Sequence, residues 1–179
     1  MKTRKLLLGL AVAGLLAVAG AADLVNASRA SAAPAAAAQE AKTFTHEGAG
    51  VTFDLPAGWK AEADGEQVTV SPAGGGVSLV FWVPAEEDFD EAAKALGEEL
   101  AKQIQDLKFD GEPKADKHNG MDHASVTGTG KIGGKDIVFS ADILEAKKTL
   151  IVLTIGSMES IQKHADEFAQ LVKSIKKVG

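Results

Sequence analysis

Apolar and polar residues alternate with a period of two through the segment that follows residue 42. Runs of β-branched and aromatic residues occur at Thr43–Thr45, Val51–Phe53 and Gln67–Ser71, with glycine-containing turns between them. Val77–Val83 is apolar on both of its alternating faces. A strand that is apolar on two sides is typical of the middle of a covered sheet, so this segment predicts a central strand.

Two longer segments carry apolar residues at helical spacing. The first is predicted to run from about Asp88 to about Gln105, with acidic residues in its first turn that suit the positive end of the helix dipole. The second is predicted from about Ser157, a favourable N-cap residue, to about Lys176. Gly97 in the first helix predicts a close approach by another element, because glycine is unfavourable in a helix interior. The apolar stripes are Phe89, Ala93, Leu96, Leu100 and Ile104, and then Ile161, Ala165, Phe168, Leu171, Val172 and Ile175.

The region between the two helices predicts strands joined by tight turns. Asn119–Gly120 and Gly133–Gly134 have the composition of two-residue hairpin turns, and Glu145–Lys148 indicates a third turn. Hairpins make a sheet antiparallel, and strands that are apolar on both faces need cover on both sides. The sequence therefore predicts an α+β fold in which an antiparallel β-sheet is sandwiched by two long helices. The predicted strands of this region are Phe109–Lys117, Met121–Ile132, Lys135–Glu145 and Thr149–Gly156.

The first 32 residues have the organisation of a secretory signal peptide. Three basic residues precede the uncharged run Leu6–Ala22, and two possible A-x-A cleavage sites follow, at Ala19–Ala21 and Ala30–Ala32. Residues 33–42 are interpreted as an alanine-rich linker, and residues 43–179 as one domain. We expect the mature chain to be secreted or periplasmic, without membrane contact after cleavage. The alternative is a retained N-terminal membrane anchor, because 17 uncharged residues reach the lower limit for a span.

Composition excludes several classes of protein. The chain has no cysteine, which excludes a disulfide scaffold, thiol catalysis and cysteine-ligated metal centres. Residues 33–179 contain 15 basic and 24 acidic side chains, a net charge of −9. Such a domain repels phosphate backbones, so we expect no nucleic-acid partner. We also expect no cofactor, because a strand rather than a helix follows the G-x-G-x-x-G pattern of Gly128, Gly130 and Gly133.

One predicted hairpin carries candidate metal ligands. Pairing across its two-residue turn puts Asp116, His118, Met121 and His123 on one side. Two imidazoles, a carboxylate and a thioether are ligands that copper or zinc accepts, so Asp116, His118 and His123 are candidate metal-binding residues. The alternative is an ordinary polar hairpin face in solvent, with the intervening apolar side chains pointing to the core.

Catalytic residues are not indicated by any motif. The sequence has no G-x-S-x-G nucleophile elbow, and paired carboxylates for glycoside hydrolysis cannot be assigned without distances. The acidic segment Glu86–Glu91 lacks a calcium-loop pattern and is explained by the start of a helix. We therefore expect the protein not to be an enzyme, with an uncharacterised hydrolase as an alternative.

The order of these elements resembles one known superfamily. After a leader and a short hairpin comes Phe53–Trp59, of pattern F-x-x-P-x-x-W, then a long apolar strand, a helix, a meander and a closing helix that ends Val172–Lys176. This arrangement, over about residues 43–178, resembles the PsbP/Mog-like superfamily, which includes exported bacterial members of unknown role. The resemblance implies an antiparallel sheet sandwiched by helices and generally non-enzymatic work. Members include a photosystem II extrinsic subunit, a Ran-binding protein and bacterial cell-envelope proteins. They share no catalytic set, and Pro56 and Trp59 are expected to be structural.

Three functions follow as hypotheses. The favoured one is an exported or cell-envelope, non-enzymatic binding or assembly protein whose partner is another envelope or secreted protein. Its contacts would use a sheet edge or the loops at Gly74–Gly76 and His118–Met121. The alternative is a periplasmic metal-handling protein that uses the histidine-containing hairpin, and the second alternative is an uncharacterised hydrolase.

Overall fold

The structure, a computed structural model, describes residues 42–86 and 88–179. The proposed signal peptide, its cleavage sites and nearly all of the proposed linker lie outside the described residues, so these assignments stay predictions. Among the helices of the described part, none is both long and apolar enough to cross a membrane.

The described chain is built mainly of antiparallel strands arranged in two sheets. Its elements are β1 (Lys42–His46), β2 (Val51–Leu55), β3 (Trp59–Asp64), β4 (Gln67–Pro72), β5 (Val77–Trp82), α1 (Phe89–Gln103), β6 (Gln105–Phe109), β7 (Lys114–His118), β8 (Met121–Ile132), β9 (Lys135–Glu145), β10 (Thr149–Gly156), α2 (Met158–Lys163), α3 (Ala165–Ser174) and β11 (Lys176–Lys177). The larger sheet has the order β3-β4-β5-β10-β9-β8-β6, with β7 also paired to β8, and the smaller sheet has the order β1-β2-β11. The antiparallel sheet is confirmed, with β5 and β10 well inside it, as the apolar pattern predicts.

Different layers cover the two faces of the larger sheet. On one face, Phe53 of β2 stacks on Phe81 of β5 with ring centroids 4.2 Å apart, and Leu171 of α3 belongs to the same core. On the other face, Ile104 at the end of α1 lies against Gly130 of β8. The small sheet and α3 together thus cover one face, and α1 covers the other. The prediction of two long helices as the cover is wrong, because the first hairpin, β1–β2, forms a layer of its own.

The second predicted helix is divided at His164 into α2 and α3. The backbone of His164 has φ −109° and ψ 17°, outside the helical range, and its Nδ1 contacts the Glu167 carboxylate. The break lets the rings of His164 and Phe168 both meet the Trp59 ring edge-on, at centroid distances of 5.6 and 5.2 Å. The helix is therefore broken where His164 and Phe168 pack against Trp59. The spacing of the apolar residues alone does not indicate this break.

The predicted strand Phe109–Lys117 forms only in its second half, as β7, and β6 comes before it and shares only Phe109 with it. Both pair with the long strand β8, and residues 110–113 separate them. Gly111 has φ 99° and Pro113 has no N–H to donate, so this segment cannot continue the ladder. The hairpin turns, by contrast, form as predicted, since Asn119 and Gly120 have φ of 48° and 82°, as a type I′ turn requires.

Candidate functional site

The predicted metal-ligand candidates lie on the hairpin β7–β8. Its register pairs Asp116 with His123 and His118 with Met121. The rings of His118 and His123 are 5.8 Å apart between centroids. Met121 is fully buried in the core, whereas the imidazoles of His118 and His123 are partly exposed.

His123 is held between two carboxylates. Its Nδ1 contacts Oδ1 of Asp116 on β7, and its Nε2 lies 3.0 Å from Oδ1 of Asp142 on β9. Burial lowers the pKa of His123, but the hydrogen bonds to Asp116 and Asp142 and the charges of both carboxylates outweigh that effect and raise the pKa above its usual range. With both carboxylates ionised, the imidazole can donate to both of them only when it is protonated, and in that form it links three strands.

This arrangement differs from a metal centre. A histidine binds a metal through an unprotonated ring nitrogen, whereas both nitrogens of His123 are engaged by carboxylates. Within residues 42–86 and 88–179, no group of three or more His, Cys, Asp or Glu side chains is arranged to hold a metal ion. Metal binding by Asp116, His118 and His123 stays a prediction, and it requires rearrangement of this cluster. Sequence reasoning did not find Asp142, because the residues were counted from the Asn119–Gly120 turn and not from the Gly133–Gly134 turn that joins β8 to β9.

The two loops proposed as contact surfaces are used within the domain. At the hairpin tip, Nδ2 of Asn119 donates to the carbonyl oxygens of Lys173 and Ile175 at the end of α3. In the glycine-rich loop, the carbonyl of Gly76 accepts a hydrogen bond from the Ser157 amide, and a Cβ at Gly76 would lie 2.3 Å from Oγ of Ser160. Gly74 and Gly120 stay exposed, so a partner contact at either loop stays a prediction.

The edges of the larger sheet are poorly suited to strand addition. β3, at one edge, presents the exposed charged residues Lys60, Glu62 and Asp64. At the other edge, the break between β6 and β7 contains Pro113 and interrupts the line of backbone groups. Charged, short and interrupted edges are how sheet proteins avoid pairing with further strands.

A cleft of about 530 Å³ opens where β6, β8 and β9 meet the start of α2. Met158, the first residue of α2, is 54% exposed and lines this cleft. The cleft's other apolar lining residues are Leu107, Ile137 and Val138. Met158 is thus a large apolar side chain that is exposed beside three other apolar side chains.

A β-bulge shapes one wall of this cleft. Gln105 pairs with Lys131 and Lys108 with Thr129, so β6 has one more residue than β8 between these pairs. Asp106, in the bulge, has φ 53°, a left-handed conformation that aspartate tolerates better than most residues. Bulges redirect side chains and occur often beside functional sites. The sequence carries no signal for this cleft, because a bulge depends on pairing between distant segments.

The charges around the cleft are only partly neutralised. Nζ of Lys131 lies 3.1 Å from Oδ2 of Asp106. This hydrogen bond and the charges of Asp106 and Asp136 raise the pKa of Lys131 above its usual range, so the amine stays cationic near neutral pH. Lys108, also at the cleft, has no ion-pair partner among the described residues. Asp136, at the same cleft, has no ion-pair partner among the described residues either, so the cleft offers one unpaired cation and one unpaired anion beside an apolar wall.

The remaining histidines make structural contacts. His46 is buried, accepts a hydrogen bond from the Ala49 amide at Nδ1 and lies 3.0 Å from the Glu66 carbonyl through Nε2. His164 contacts Glu167 and Trp59. In the described part of the chain, no histidine is hydrogen-bonded to a serine hydroxyl, so the geometry assigns no nucleophile.

Several solved structures resemble this fold, among them one from Synechocystis and one from Pseudomonas aeruginosa. Cyanobacterial PsbP (CyanoP) from Synechocystis superimposes with a TM-score of 0.57 at 10% identity, covering 83% of this chain and 98% of that one. A protein of unknown function from Pseudomonas aeruginosa gives a TM-score of 0.50 at 15% identity, covering 75% of this chain and 94% of that one. No protein-family model and no curated protein matches the sequence. The chain therefore has a PsbP-like fold, and its function has to be argued from its own residues.

Proposed function

We propose that the chain is an exported, non-enzymatic binding or assembly protein of the cell envelope or the secreted fraction. The charge pattern of residues 1–32 supports export. A binding role, rather than catalysis, is proposed because the exposed Met158 side chain and its apolar neighbours form a surface that a partner can cover. The partner is another envelope or secreted protein.

The proposed contact surface is the cleft at β6, β8, β9 and α2. The observation that carries this proposal is the 54% exposure of Met158 beside Leu107 and Val138. Solvent exposure of such a side chain is unfavourable by about 25 cal/mol per Å² of apolar area, and a partner that buries it recovers that free energy. The contact is thus made by side chains of Met158 and the edge strand β6, and not by addition of a strand to the sheet.

The side chains that line the cleft indicate which groups a partner inserts there. Leu107, Ile137 and Met158 accept an apolar side chain, and the unpaired amine of Lys108 favours a carboxylate beside it. We therefore propose that the partner inserts an apolar side chain with an adjacent Asp or Glu. Because residues 33–179 carry a net charge of −9, the local cation at Lys108 matters for attracting that acidic group.

Site-specific cross-linking in the native envelope tests this proposal. A photoreactive residue in place of Asp136, an exposed residue at the cleft, is expected to capture a discrete partner. Adding Met158→Glu should reduce the cross-linked product about tenfold or more, because it removes a central apolar contact. Val178→Glu is the matched control, since Val178 is 51% exposed and lies outside this cleft. Lys108→Glu provides a second variant that tests the charge.

The outcomes separate the alternatives. Equal product from wild type and from a folded Met158→Glu variant contradicts docking at the cleft. Loss in Val178→Glu instead of Met158→Glu moves the contact to the region of the C-terminus. Turnover of an acyl or glycosyl substrate by the purified domain would favour the hydrolase alternative.

Export is tested separately through the mature N-terminus. We expect mass spectrometry of the protein recovered from the envelope or medium to give a chain that starts after Ala21 or Ala32, the ends of the two A-x-A sites. A chain that keeps the uncharged run and fractionates with membranes would indicate a retained anchor. A full-length chain in the cytosol would contradict export.

A further inference from the structure

Sulfur chemistry in this chain is confined to methionine. The chain has no cysteine and three methionines, Met1, Met121 and Met158. Met1 lies outside the described residues. Met121 is fully buried in the core, whereas Met158 is 54% exposed. In the described part of the chain, the thioether of Met158 is therefore the one that is accessible to oxidants in solution.

Because Met158 lines the cleft, oxidation of its sulfur changes the surface that a partner contacts. Ser157 caps α2 by accepting the Ser160 amide, which places Met158 at the first helical position, and its side chain lines the cleft with Leu107 and Val138. No helix contact needs a methionine there, because the first turn of a helix accepts many residue types. A thioether is, however, an adaptable apolar group that oxidation makes polar.

We propose that Met158 is an oxidation site that controls whether the cleft accepts its apolar ligand group. The inference rests on the proposed docking function for its consequence, although the modification itself does not depend on a partner. A peroxide supplies the oxygen atom: a sulfur lone pair attacks one peroxide oxygen, the O–O bond breaks, and an S–O bond forms. The sulfur loses two electrons, hydrogen peroxide is reduced to water, and methionine becomes methionine sulfoxide.

The sulfoxide changes the wall of the cleft in a defined way. It places a polar S–O group next to Leu107 and Val138, where contact with an apolar side chain of a partner is less favourable than it is for the thioether. Docking of an apolar side chain is weakened, while the fold is kept, because Met158 is exposed and outside the core. Enzymatic reduction of the sulfoxide restores the thioether and the cleft.

Mass spectrometry of the folded protein tests the modification. At limiting hydrogen peroxide, we expect Met158 to gain one oxygen at least about tenfold faster than Met121. In denaturant the two rates should become similar, which shows that burial rather than chemistry protects Met121. Similar rates in the folded protein would overturn the assignment of Met158 as the oxidation site.

Cross-linking from position 136 tests the consequence. Peroxide should reduce the product about fivefold or more in the wild type, and Met158→Leu should keep the product and make it insensitive to peroxide. Met158→Gln, a polar substitute, should give low product without peroxide. Equal product from oxidised and untreated wild type overturns this inference but leaves the proposed function standing. No product from untreated wild type overturns the proposed function and the docking effect together, and the mass-spectrometry result then decides the modification site alone.

Discussion

The side-chain amide of Asn119 donates a 2.7 Å hydrogen bond to the carbonyl oxygen of Ile175, 56 residues further along the chain. A second bond, of 2.9 Å, reaches the carbonyl of Lys173. Helix α3 ends here, and the last carbonyls of a helix have no partner within it. The tip of the β7–β8 hairpin therefore caps the final helix and fixes its end to the sheet.

Substitution of Asn119 should destabilise the domain. Asn119→Asp keeps the size of the side chain, but it removes the N–H donor and places a negative charge at the negative end of the α3 dipole. We expect a loss of about 1–2 kcal/mol in the free energy of unfolding, measured by urea denaturation. Asn119→Gly keeps the left-handed backbone and loses only the amide, so its loss should be smaller. Unchanged stability in Asn119→Asp would contradict the capping role.

His123 should make stability depend on pH. Because its pKa is raised in the folded chain, folding favours the protonated imidazole. The resulting stabilisation is fully present below the unfolded pKa, about 6.5, and is lost as pH rises through the folded pKa. Urea denaturation across this window should show that His123→Gln costs more stability at the acidic end than at the basic end. His118→Gln is the control and should leave the wild-type pH dependence intact, whereas a pH-independent difference for His123→Gln would contradict the cationic assignment.

Two glycine-to-alanine substitutions should change the free energy of unfolding in opposite directions. A Cβ at Gly128 would lie 2.3 Å from the Lys108 carbonyl and 2.5 Å from the Phe139 ring, so Gly128→Ala should destabilise by about 1–3 kcal/mol. A Cβ at Gly97 would meet no neighbouring atom within 4 Å, which contradicts the predicted close approach in α1. Gly97→Ala should therefore stabilise by about 0.5–1 kcal/mol, since alanine favours the helix. Melting temperatures that move in the same direction for both variants would be inconsistent with these environments.

Metal binding at the hairpin can be measured directly. We expect isothermal titration of the domain with Zn²⁺ or Cu²⁺ at neutral pH to give no sub-micromolar binding, because a metal must displace a proton and a carboxylate at His123. Sub-micromolar binding that is lost in the double variant His118→Ala/His123→Ala would favour the metal-handling alternative. The Lys135→Ala variant, altered at the opposite end of β8–β9, controls for non-specific effects.

Part of the candidate chemistry could be predicted because it is local. A two-residue turn at Asn119–Gly120 dictates which residues of β7 and β8 are opposite each other, so the pairing of Asp116 with His123 follows from strand alternation. Asp142 needs the same counting from the Gly133–Gly134 turn at the other end of β8, which pairs Asp142 with Ser125, two residues from His123 on the same face. Strand alternation does not show that the Asp142 carboxylate and the His123 ring are within hydrogen-bond distance, because that depends on their side-chain conformations.

Local sequence was enough to predict the turns, the central position of β5, the start of α1 and the antiparallel pairing, because these depend on backbone preferences and on the period of nearby side chains. It was not enough to predict that the first hairpin covers a face of the sheet, that the last helix bends at His164, or that a bulge at Asp106 lies beside the cleft of Met158. These features arise from contacts between segments far apart in the chain. Their free energies depend on how surfaces fit together in three dimensions, which the order of residues along one segment does not show.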